Sequence, residues 1–457
     1  MLDNLTFLKE GFLMYENLNK EDIKQLIKEN DVKFIRLQFT DILGITKNVA
    51  IPVKQLDKAL SGKIMFDGSS IEGFTRIEES DMYLKPDFNT FTILPWKLED
   101  GTIARFICDI HYPDGKTFSG CPRSALKKII SKFEEKGLSV NVGPEPEFFI
   151  FHRDKEGKAT TVTHEQASYF DMAPVDLGEQ VRREIIMALE KINFEVEAYH
   201  HEVAPGQHEI DFKYSDPLKT ADRINTFKFV VKTIAAQHNL HATFLPKPVY
   251  GECGSGMHIH QSLFKNGKNI FFAATNKYKL SKNALYYIGG ILRHVRGFTA
   301  ITNPLINSYK RLVPGYEAPV YICWSEKNRS PLIRVPAVRG EDTRIEIRNP
   351  DPSCNPYLAL AVILQAGLDG IDNKILPPEP INRNIYEMTF QELNELNIGI
   401  LPDDLMEAIK ELEKDEIIKD ALGDHIYNHF VEAKKIEWKM YRKQVHPWEI
   451  KQYLDIF

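Results

Sequence analysis

The alternation of apolar and polar residues divides the chain into a short strand-rich part and a longer mixed part. In the first part, short runs with a period of two are separated by turn residues, which is typical of a small α+β unit. The predicted elements are a helix opened by Asn19 and Asp22 over Lys20–Lys28, strands at Val32–Phe39, Asn48–Val53, Phe91–Ile93 and Ala104–Ile110, and a Gly/Ser-rich loop at Asp67–Gly73.

The turn-rich segment His111–Pro122 is the best candidate for a linker to the longer part. Beyond it, the pattern predicts helices at Ser124–Lys136, from a cap at Asp176 to about Lys191, and at Pro217–Asn239, Ala284–Phe298 and Pro356–Gly367, with strands at Ser139–His152, Phe194–Tyr199, His241–Phe244, Leu332–Pro336 and Arg344–Arg348. The C-terminal part is predicted to be helical. This order fits a large α+β domain with an antiparallel sheet better than a regular βαβ array.

The composition excludes several classes of protein. Of 457 residues, 43% are hydrophobic, and 58 basic against 64 acidic residues leave a net charge of −6. The chain is too apolar for disorder, and its charge argues against a nucleic-acid or membrane-surface partner. The longest apolar run, Tyr357–Leu364, is too short to cross a bilayer, and the first residues lack the basic region of a signal peptide. The five cysteines lie far apart, so we expect no disulfide framework and a cytoplasmic protein.

Two acidic motifs are candidates for a metal site. Glu145 and Glu147 are two apart in a predicted strand, so both carboxylates should project to one side at the edge of a core. If Pro205-Gly206 is a hairpin turn, Glu202 and Glu209 face each other directly across the strands, where like charges repel. A solvated strand end explains the first pair alone, but four inward carboxylates together predict a site for Mg²⁺ or Mn²⁺ rather than zinc.

A glycine-rich segment and a group of arginines complete the candidate chemistry. His258 and His260 are predicted to share a strand face directly after Gly254-Ser-Gly256, whose backbone permits close approach to a small ligand or phosphate. A His-x-His pair alone is often structural. Ion pairing within Arg344–Arg348 explains part of the arginine set, but the whole set predicts a clamp for phosphate and carboxylate groups. The set comprises Arg311, Arg329, Arg334, Arg339, Arg344 and Arg348.

Hard cations and arginines together predict phosphoryl transfer, because both neutralise charge on the transferring group. The usual nucleotide-binding loops are missing from the sequence. Gly115-Lys116-Thr117 ends like a P-loop, but Ile110 stands where a glycine is required. Ile259 likewise replaces the third glycine of a dinucleotide fingerprint beginning at Gly254. The nucleotide must therefore be held by a different arrangement.

Taken in order, these motifs resemble those of the class I glutamine synthetases of bacteria and archaea, from about Asn19 to the C-terminus. Phe66–Ser70 followed by Glu79–Leu84 is similar to the N-terminal signature of that family, and Lys247–Ser262 is similar to the signature of its nucleotide region. Several long motifs in the right order are far more specific than any single pair of residues.

The resemblance implies an extension at residues 1–17, a small β-grasp domain at 18–112 and a large catalytic domain at 113–457, of the glutamine-synthetase/guanido-kinase-like α+β type with an antiparallel sheet. It also implies a homododecamer of two hexameric rings, in which the neighbouring subunit's N-terminal domain closes each double-ended site. The implied reaction is ATP-dependent ligation of ammonia to L-glutamate through γ-glutamyl phosphate, in nitrogen assimilation.

The resemblance also implies roles for particular residues. Two or more cations, Mg²⁺ or Mn²⁺, would be held by Glu147, Glu202 and Glu209 on the glutamate side and by Glu145, His258 and Glu346 on the nucleotide phosphates. Glutamate would be bound by Cys253, Gly254, Arg311, Glu317 and Arg348, and ATP by Glu197, His260, Ser262, Arg329 and Arg334. The implied catalytic residues are Asp41, Asp67, Glu317 and Arg329.

Each catalytic residue has a distinct implied task. Asp41 would take a proton from ammonium across the subunit boundary, although by itself it reads as a turn aspartate before Gly44. Asp67 fits a small ammonium pocket. Glu317 matches the flap that shields the acyl phosphate from water, and Arg329 would neutralise the transferring phosphoryl group.

Three further positions bear on affinity and regulation. Cys253 stands where the family usually has asparagine beside the glutamate. The residues around Tyr386, including Asn382 in place of an aspartate, resemble the shorter subdivision that is not adenylylated, so we expect Tyr386 to be unmodified. In that subdivision the arginine matching Arg76 takes part in feedback inhibition by glutamine, which is expected here, with a nitrogen-regulatory protein or metabolite effectors as candidate partners.

The main alternative is a sister ligase that joins glutamate to a polyamine or another amine. Asp41 and Asp67 favour glutamine synthesis, because they fit an ammonium pocket. A catalytically inactive ring protein would be expected to lose metal ligands, and all six positions here are Glu or His. Arginines interleaved with glutamates on an acidic chain argue against nucleic-acid binding.

Overall fold

The computed structural model describes residues 5–7, 13–15, 17–71, 80–96, 99–316, 318–328 and 330–457. The N-terminal elements are β1 (Leu5–Phe7), β2 (Leu13–Tyr15), α1 (Lys20–Glu29), β3 (Val32–Thr40), β4 (Thr46–Pro52), α2 (Leu56–Leu60), β5 (Ile64–Asp67), β6 (Asp81–Ile93) and β7 (Thr102–His111).

The elements that follow up to the middle of the chain are α3 (Pro122–Glu134), β8 (Leu138–Arg153), β9 (Ala159–Thr163), α4 (Glu179–Glu190), β10 (Val196–His201), β11 (Gln207–Phe212), α5 (Pro217–Gln237), β12 (Leu240–Thr243), β13 (Met257–Lys265) and β14 (Lys268–Asn269). The remainder are α6 (Lys282–Thr302), α7 (Ser308–Arg311), β15 (Tyr321–Ile322), β16 (Trp324–Ser325), β17 (Ile333–Arg334), β18 (Ile345–Ile347), α8 (Pro356–Asp372), α9 (Phe390–Glu395), β19 (Gly399–Ile400), α10 (Leu405–Leu412), α11 (Glu416–Leu422), α12 (Asp424–Tyr441) and α13 (Pro447–Tyr453).

The N-terminal unit is a five-stranded sheet with α1 packed on it. Its strand order is β4-β3-β7-β6-β5, in which β3 and β7 run parallel and the other neighbours antiparallel. The predicted start of α1 is confirmed, because the Asn19 side chain accepts from the backbone N–H of Asp22 at 3.1 Å while Asp22 accepts from the N–H of Asn19 at 2.9 Å. One face of α1 buries Ile23, Leu26 and Ile27 against the sheet.

The second unit is built on a larger sheet, and the predicted antiparallel arrangement is confirmed along most of it. Its main path is β10-β11-β8-β13-β18-β17-β16, and the β16–β17 pair runs parallel. The sixteen-residue strand β8 pairs on one side with β11 and on the other with β13, so it lies at the centre of the sheet. Residues in the middle of β8 are therefore brought next to residues of both neighbours.

The longest apolar run of the sequence, Tyr357–Leu364, lies in helix α8. Every residue from Pro356 to Gly370 is buried, and α6 crosses α8 at close range. A side chain at Gly290 would place its Cβ 2.2 Å from the carbonyl oxygen of Ala366. Glycine at this crossing lets the two backbones approach, and α8 in turn packs against α3 and α5, the helices that contact β8.

Five predicted elements differ from the structure in their bounds. Strand β6 begins ten residues before the predicted Phe91–Ile93, because Pro86 and the polar residues near it hide the alternation of buried positions. Asp176 is not a helix cap: α4 begins at Glu179, and the Asp176 carboxylate instead pairs with Arg182. Strand β10 runs two residues later than predicted. Strands β17 and β18 are shorter than predicted, because only the central residues of each segment pair in the sheet.

Among the described residues, no helix combines the length and the apolar character needed to cross a bilayer.

Candidate active site

The middle of β8 places two carboxylates at the centre of the larger sheet. Glu145 lies opposite His258 of β13, and Glu147 lies opposite Glu209 of β11. Because the two glutamates are two apart in one strand, both face the same side, and both line the same cavity. The sequence-derived expectation of a shared face is confirmed.

One cluster consists of Glu145, His258 and Glu346, whose potential ligand atoms all lie within 4.8 Å of one another. Glu145 is 3.3 Å from His258 Nδ1 through one oxygen and 2.7 Å from His260 Nε2 through the other. Burial alone would raise the pKa of Glu145, but the hydrogen bonds with His258 and His260 outweigh it and hold the pKa well below its usual range. Glu145 is therefore ionised at neutral pH.

A second cluster consists of His200, Glu202 and Glu209, again with potential ligand atoms within 4.8 Å of one another. The prediction that Glu202 and Glu209 lie directly opposite each other is wrong, because the strand register differs from the predicted one by two residues. The register places His200 opposite Glu209, and the N–H of Glu202 donates to the carbonyl of Gln207 at 2.8 Å. The two carboxylates are therefore diagonal neighbours on one face, because the turn occupies the four residues 203–206.

Glu147 is held between the two clusters. One of its oxygens accepts hydrogen bonds from the side chain of Gln207 at 2.7 Å and from the N–H of Gly256 at 3.0 Å. Burial, followed by the nearby charge of Glu202, raises the pKa of Glu147 well above its usual range.

Arginines line the opposite wall. Arg311 donates to the carbonyl oxygens of Asn349 at 2.7 Å and Arg348 at 3.1 Å. Arg348 donates to Glu346 at 2.8 Å, and Arg334 donates to the other oxygen of the same glutamate. Arg339 does not join this wall, because it pairs with Glu326 at 2.9 Å.

The glycines of the 254–256 segment provide the space for this wall. A Cβ at Gly256 would lie 2.5 Å from Arg311 Nη2 and 3.3 Å from Glu147 Oε1. A Cβ at Gly254 would lie 2.3 Å from the carbonyl oxygen of Pro246. Only glycine fits at both positions while Arg311 and Glu147 stay in place.

Two cavities meet at Glu145. The larger has a volume of about 780 Å³, and the smaller has about 340 Å³. The predicted residues that line the larger are Glu145, Glu147, Glu202, Glu209, Cys253, Gly254, His258, Arg311, Arg334, Glu346 and Arg348. The predicted residues that line the smaller are Glu145, Glu197, His260, Ser262 and Arg344. The site is thus open at two ends, with the carboxylate clusters between them.

The electrostatics of the clusters fit divalent cations bound through oxygen. Burial, and then the charges of Asp211 and Glu147, raise the pKa of Glu209 well above its usual range. Burial and the charge of Glu145 raise the pKa of Asp211 to about 8, and its Oδ1 is buried without a hydrogen-bond partner among the described residues. Carboxylates that repel one another in this way are stabilised by a hard cation, for which their oxygens are suitable ligands.

Asp41 and Asp67 lie away from both cavities within one chain. Asp41 is buried in the turn that it was expected to form: its carboxylate accepts from the N–H of Ile45 at 2.8 Å, and its carbonyl oxygen accepts from Asn355 at 2.9 Å. Asp67 is exposed and accepts from the hydroxyls of Ser69 at 2.6 Å and Ser70 at 2.8 Å. Arg76, Glu317 and Arg329 lie outside the described residues.

Sequence reasoning assigned no role to several residues of the site. His200 is 2.8 Å from Glu202 and completes the second cluster, Asp211 lines the smaller cavity, and Gln207 orients Glu147. The alternation in Glu209-Ile-Asp211 is a signal that could have revealed Asp211, because residues two apart in a strand share a face. Gln207 carried no comparable signal.

Comparisons with known proteins agree with this geometry. The sequence-family model of the glutamine synthetase β-grasp domain matches residues 31–113 of the chain. The family model of the glutamine synthetase catalytic domain matches residues 119–453. The chain is 59% identical to the glutamine synthetase of Thermus thermophilus over 442 residues, which cover 96% of this chain and 99% of the relative. It is 58% identical to that of Clostridium saccharobutylicum, with 95% and 98% covered.

Solved structures show the same architecture. The ADP complex of GmaS superposes with a TM-score of 0.87 at 31% identity, covering 95% of this chain and 99% of that chain. The glutamine synthetase of Plasmodium falciparum gives a TM-score of 0.85 at 30% identity, with the same coverage.

The chain combines a β-grasp sheet with a large catalytic sheet, and its double-ended cavity is lined by carboxylates and arginines. This architecture defines one family of ATP-dependent ligases. The chain belongs to the glutamine synthetase family. It is a glutamate–ammonia ligase that forms glutamine from L-glutamate and ammonia with consumption of ATP, and enzymes of this family use a divalent metal.

Proposed function

We propose that this chain activates glutamate as γ-glutamyl phosphate and that two divalent cations, Mg²⁺ or Mn²⁺, bind on either side of Glu147 to allow it. The observation that carries the proposal is the pair of three-residue clusters, Glu145/His258/Glu346 and His200/Glu202/Glu209, whose four glutamates and His258 line one cavity together with arginines. Glu147, Glu202 and Glu209 would hold the first ion. The ions would supply positive charge against the phosphate and carboxylate oxygens.

The residues of the chain have separate tasks in this proposal. The guanidinium groups of Arg311 and Arg348 bind the carboxylates of glutamate, since both side chains line the larger cavity. Cys253 and Gly254 border the same space and limit the size of the amino acid. The wall that these residues form favours a small, doubly negative substrate.

The nucleotide occupies the smaller cavity in this proposal. Glu197, His260 and Ser262 line it and provide one carboxylate, one imidazole and one hydroxyl for the nucleotide. Arg334 lies on the larger cavity and reaches Glu346, so its charge is near the place where the two cavities meet. The γ-phosphate would then point toward the glutamate side, where Arg329 neutralises it.

Protection of the acyl phosphate and delivery of ammonia are assigned to residues from elsewhere. Glu317 closes the larger cavity against water, because hydrolysis would otherwise consume the intermediate. Asp41 and Asp67 bind and deprotonate ammonium. Because both lie away from the cavities of their own chain, they serve the site of a neighbouring subunit, in a homododecamer of two hexameric rings.

Regulation and location follow the same reasoning. Feedback inhibition by glutamine through Arg76, effectors that report nitrogen status and a cytoplasmic location are part of the proposal. Cys108, Cys121, Cys323 and Cys354 are buried free thiols, which suits a reducing compartment. Tyr386 is proposed to stay unmodified, and its hydroxyl donates to the carbonyl oxygen of Ala318 at 2.8 Å.

Phosphate release from ATP in the presence of Mg²⁺ and glutamate tests the reaction, with ammonium as acceptor or replaced by amines such as putrescine. We expect ammonium-dependent turnover that is lost in Glu317→Ala and Asp41→Ala. Asp57→Ala serves as a control, because Asp57 is an exposed aspartate of the same domain paired only with surface Lys24 at 3.0 Å among the described residues. Turnover with amines but not with ammonium would refute the proposed acceptor.

A mixed assembly tests the shared site. Asp41→Ala and Arg311→Ala subunits, each inactive alone, are unfolded, mixed and reassembled. If a site combines the catalytic domain of one subunit with the Asp41 of the next, about a quarter of the sites in an equal, random mixture regain both groups. No recovered activity in correctly assembled rings would show that each chain supplies its own aspartate.

A further inference from the structure

The hairpin that carries Glu202 and Glu209 has two different faces. Glu202 and Glu209 line the larger cavity, and His200 lies with them on the same face of the hairpin. His201 and His208 lie opposite each other on the other face and are completely buried. The position of the cluster therefore depends on what holds the buried face. His201 is held by a charged residue of the segment between β9 and α4, and His208 is held by a charged residue of α4 itself.

Glu165 is the first of these anchors and is itself buried. One of its oxygens accepts from His201 Nε2 at 3.0 Å and also from the backbone N–H of Gly206, and its other oxygen accepts from the N–H of Ala167. His201 Nδ1 in turn donates to the carbonyl oxygen of Glu202 at 2.6 Å. A single carboxylate thus fixes the turn of the hairpin at Gly206 and, through His201, at Glu202.

Arg182 is the second anchor. It donates to His208 Nδ1 at 2.7 Å and pairs with the buried carboxylate of Asp176. This contact holds the residue adjacent to Glu209 in β11. The turn itself has little freedom, because Gly206 has a φ of +71° and a Cβ there would lie 2.9 Å from the carbonyl oxygen of Ile150.

We propose that Glu165 is a positioning residue for the cation bound by Glu202 and Glu209, because it fixes both ends of the turn between them. The inference rests on the two-cation proposal above. Loss of the Glu165 carboxylate would leave His201 Nε2 and the N–H of Gly206 buried without a partner, and the turn would move to find one. The remaining ligands, Glu145, His258 and Glu346, lie on β8, β13 and β18 and have no contact with Glu165 among the described residues.

Binding of Mn²⁺ to the full-length assembled protein, followed by electron paramagnetic resonance without nucleotide or glutamate, tests the proposal. Glu202→Gln and Glu346→Gln identify which class of bound Mn²⁺ belongs to which cluster. In Glu165→Ala we expect the dissociation constant of the Glu202/Glu209 class to rise by about 10- to 100-fold, which is usual for a residue that orients metal ligands. The class at Glu145/His258/Glu346 should change by less than about twofold.

A matched control is Glu184→Ala, which removes another glutamate–histidine pair, with His238 at 2.8 Å, on the outer side of α4. If Glu165→Ala does not assemble, Glu165→Gln replaces it as the test variant, because glutamine keeps the volume of the side chain. The Nε2 atom of the introduced glutamine would face the backbone N–H of Ala167, so that hydrogen bond would be lost. We expect Glu165→Gln to weaken the same class, with Glu165→Asp restoring part of the affinity.

The outcomes separate the two proposals. Wild-type protein that binds no Mn²⁺ at either cluster would overturn the two-cation proposal itself. Wild-type protein that binds two classes, with Glu165→Ala and Glu165→Gln binding both equally well, would overturn the role of Glu165 alone. Equal weakening of both classes would also overturn it, since that result indicates a general structural role.

Discussion

Replacing Glu209 by glutamine should have opposite effects on the metal-free and metal-bound protein. Glu209 is buried close to other carboxylates, and burial, followed by the charges of Asp211, Glu147, Glu145 and Glu202, raises its pKa well above its usual range. Glutamine keeps the shape and removes the charge. The variant should therefore be more stable than wild type without metal and should bind the metal less tightly.

The size of the effect follows from the geometry. The ligand atoms of Glu202 and Glu209 lie within 4.8 Å of each other, and at an effective dielectric constant of about 20 two like charges at that distance repel by about 3 kcal/mol. The protein limits the cost by binding a proton, and protonating an ordinary glutamate at pH 7 costs about 4 kcal/mol. Repulsion therefore gives a stabilisation of the metal-free protein by about 3 kcal/mol per subunit, and the cost of protonation sets an upper limit of about 4 kcal/mol.

Calorimetric melting temperatures in EDTA and in saturating Mn²⁺ measure the two effects. In EDTA we expect Glu209→Gln to melt above wild type, and in Mn²⁺ the order should reverse. The affinity for Mn²⁺ should fall by about 100-fold, because even residues that only orient a metal ligand contribute 10- to 100-fold. Glu195→Gln is the control, since Glu195 is an exposed glutamate paired with Lys213 at 2.7 Å and should change neither value.

A Glu209→Gln variant that is less stable than wild type in EDTA would refute the reasoning. It would mean that Glu209 is stabilised by its surroundings rather than repelled by them. An unchanged affinity for Mn²⁺ would independently show that Glu209 is not a ligand.

Three further predictions concern the same structure. The pKa of Asp211 is raised to about 8, so between about pH 4 and pH 8 the folded protein binds a proton that the unfolded chain has released. The metal-free wild type should therefore lose stability as the pH rises through this range, and Asp211→Asn should flatten the slope measured in EDTA. An unchanged slope would contradict the raised pKa. In Gly256→Ala the new Cβ would lie 2.5 Å from Arg311 Nη2 and would displace the guanidinium group proposed to bind glutamate. The KM for glutamate should rise by about tenfold or more, while the melting temperature should change little. An unchanged KM would show that Arg311 can move freely. Arg123 pairs bidentately with Asp222 at 2.8 and 2.9 Å within the larger unit and also contacts Asp87 and Asp109 of the N-terminal sheet. Arg123→Met should therefore cost about 3–5 kcal/mol in the free energy of unfolding measured with urea, and adding Asp222→Asn should recover part of it. No recovery would argue against a charge effect.

The sequence was a good guide where one segment decides its own structure. The cap at Asn19 and the strand at Leu138–Arg153 follow from local hydrogen bonding and from a long apolar run with turn residues at its ends. It failed at Asp176, which has the residue type of a helix cap but lies buried against Arg182. A local pattern cannot distinguish a cap from a buried ion pair, because the partner becomes a neighbour only in the folded chain.

The candidate site shows the same division. Alternation in β8 and β13 placed Glu145, Glu147, His258 and His260 on shared faces, because the side-chain period of a strand is two wherever the strand lies. The separation of the carboxylates into two clusters could not be read from spacing. It depends on β8 lying between β11 and β13, which is a property of the sheet.

By itself the sequence determined the secondary structure of the longer elements, the chemical types at the site and the resemblance to a family of ligases. Only the tertiary structure decided that Glu202 and Glu209 are diagonal rather than opposite, that His200 joins them and that Glu165 holds their turn. The physical reason is that strand register and buried hydrogen bonds are set by contacts between segments far apart in the chain, whereas periodicity reports only which residues of one segment share a face.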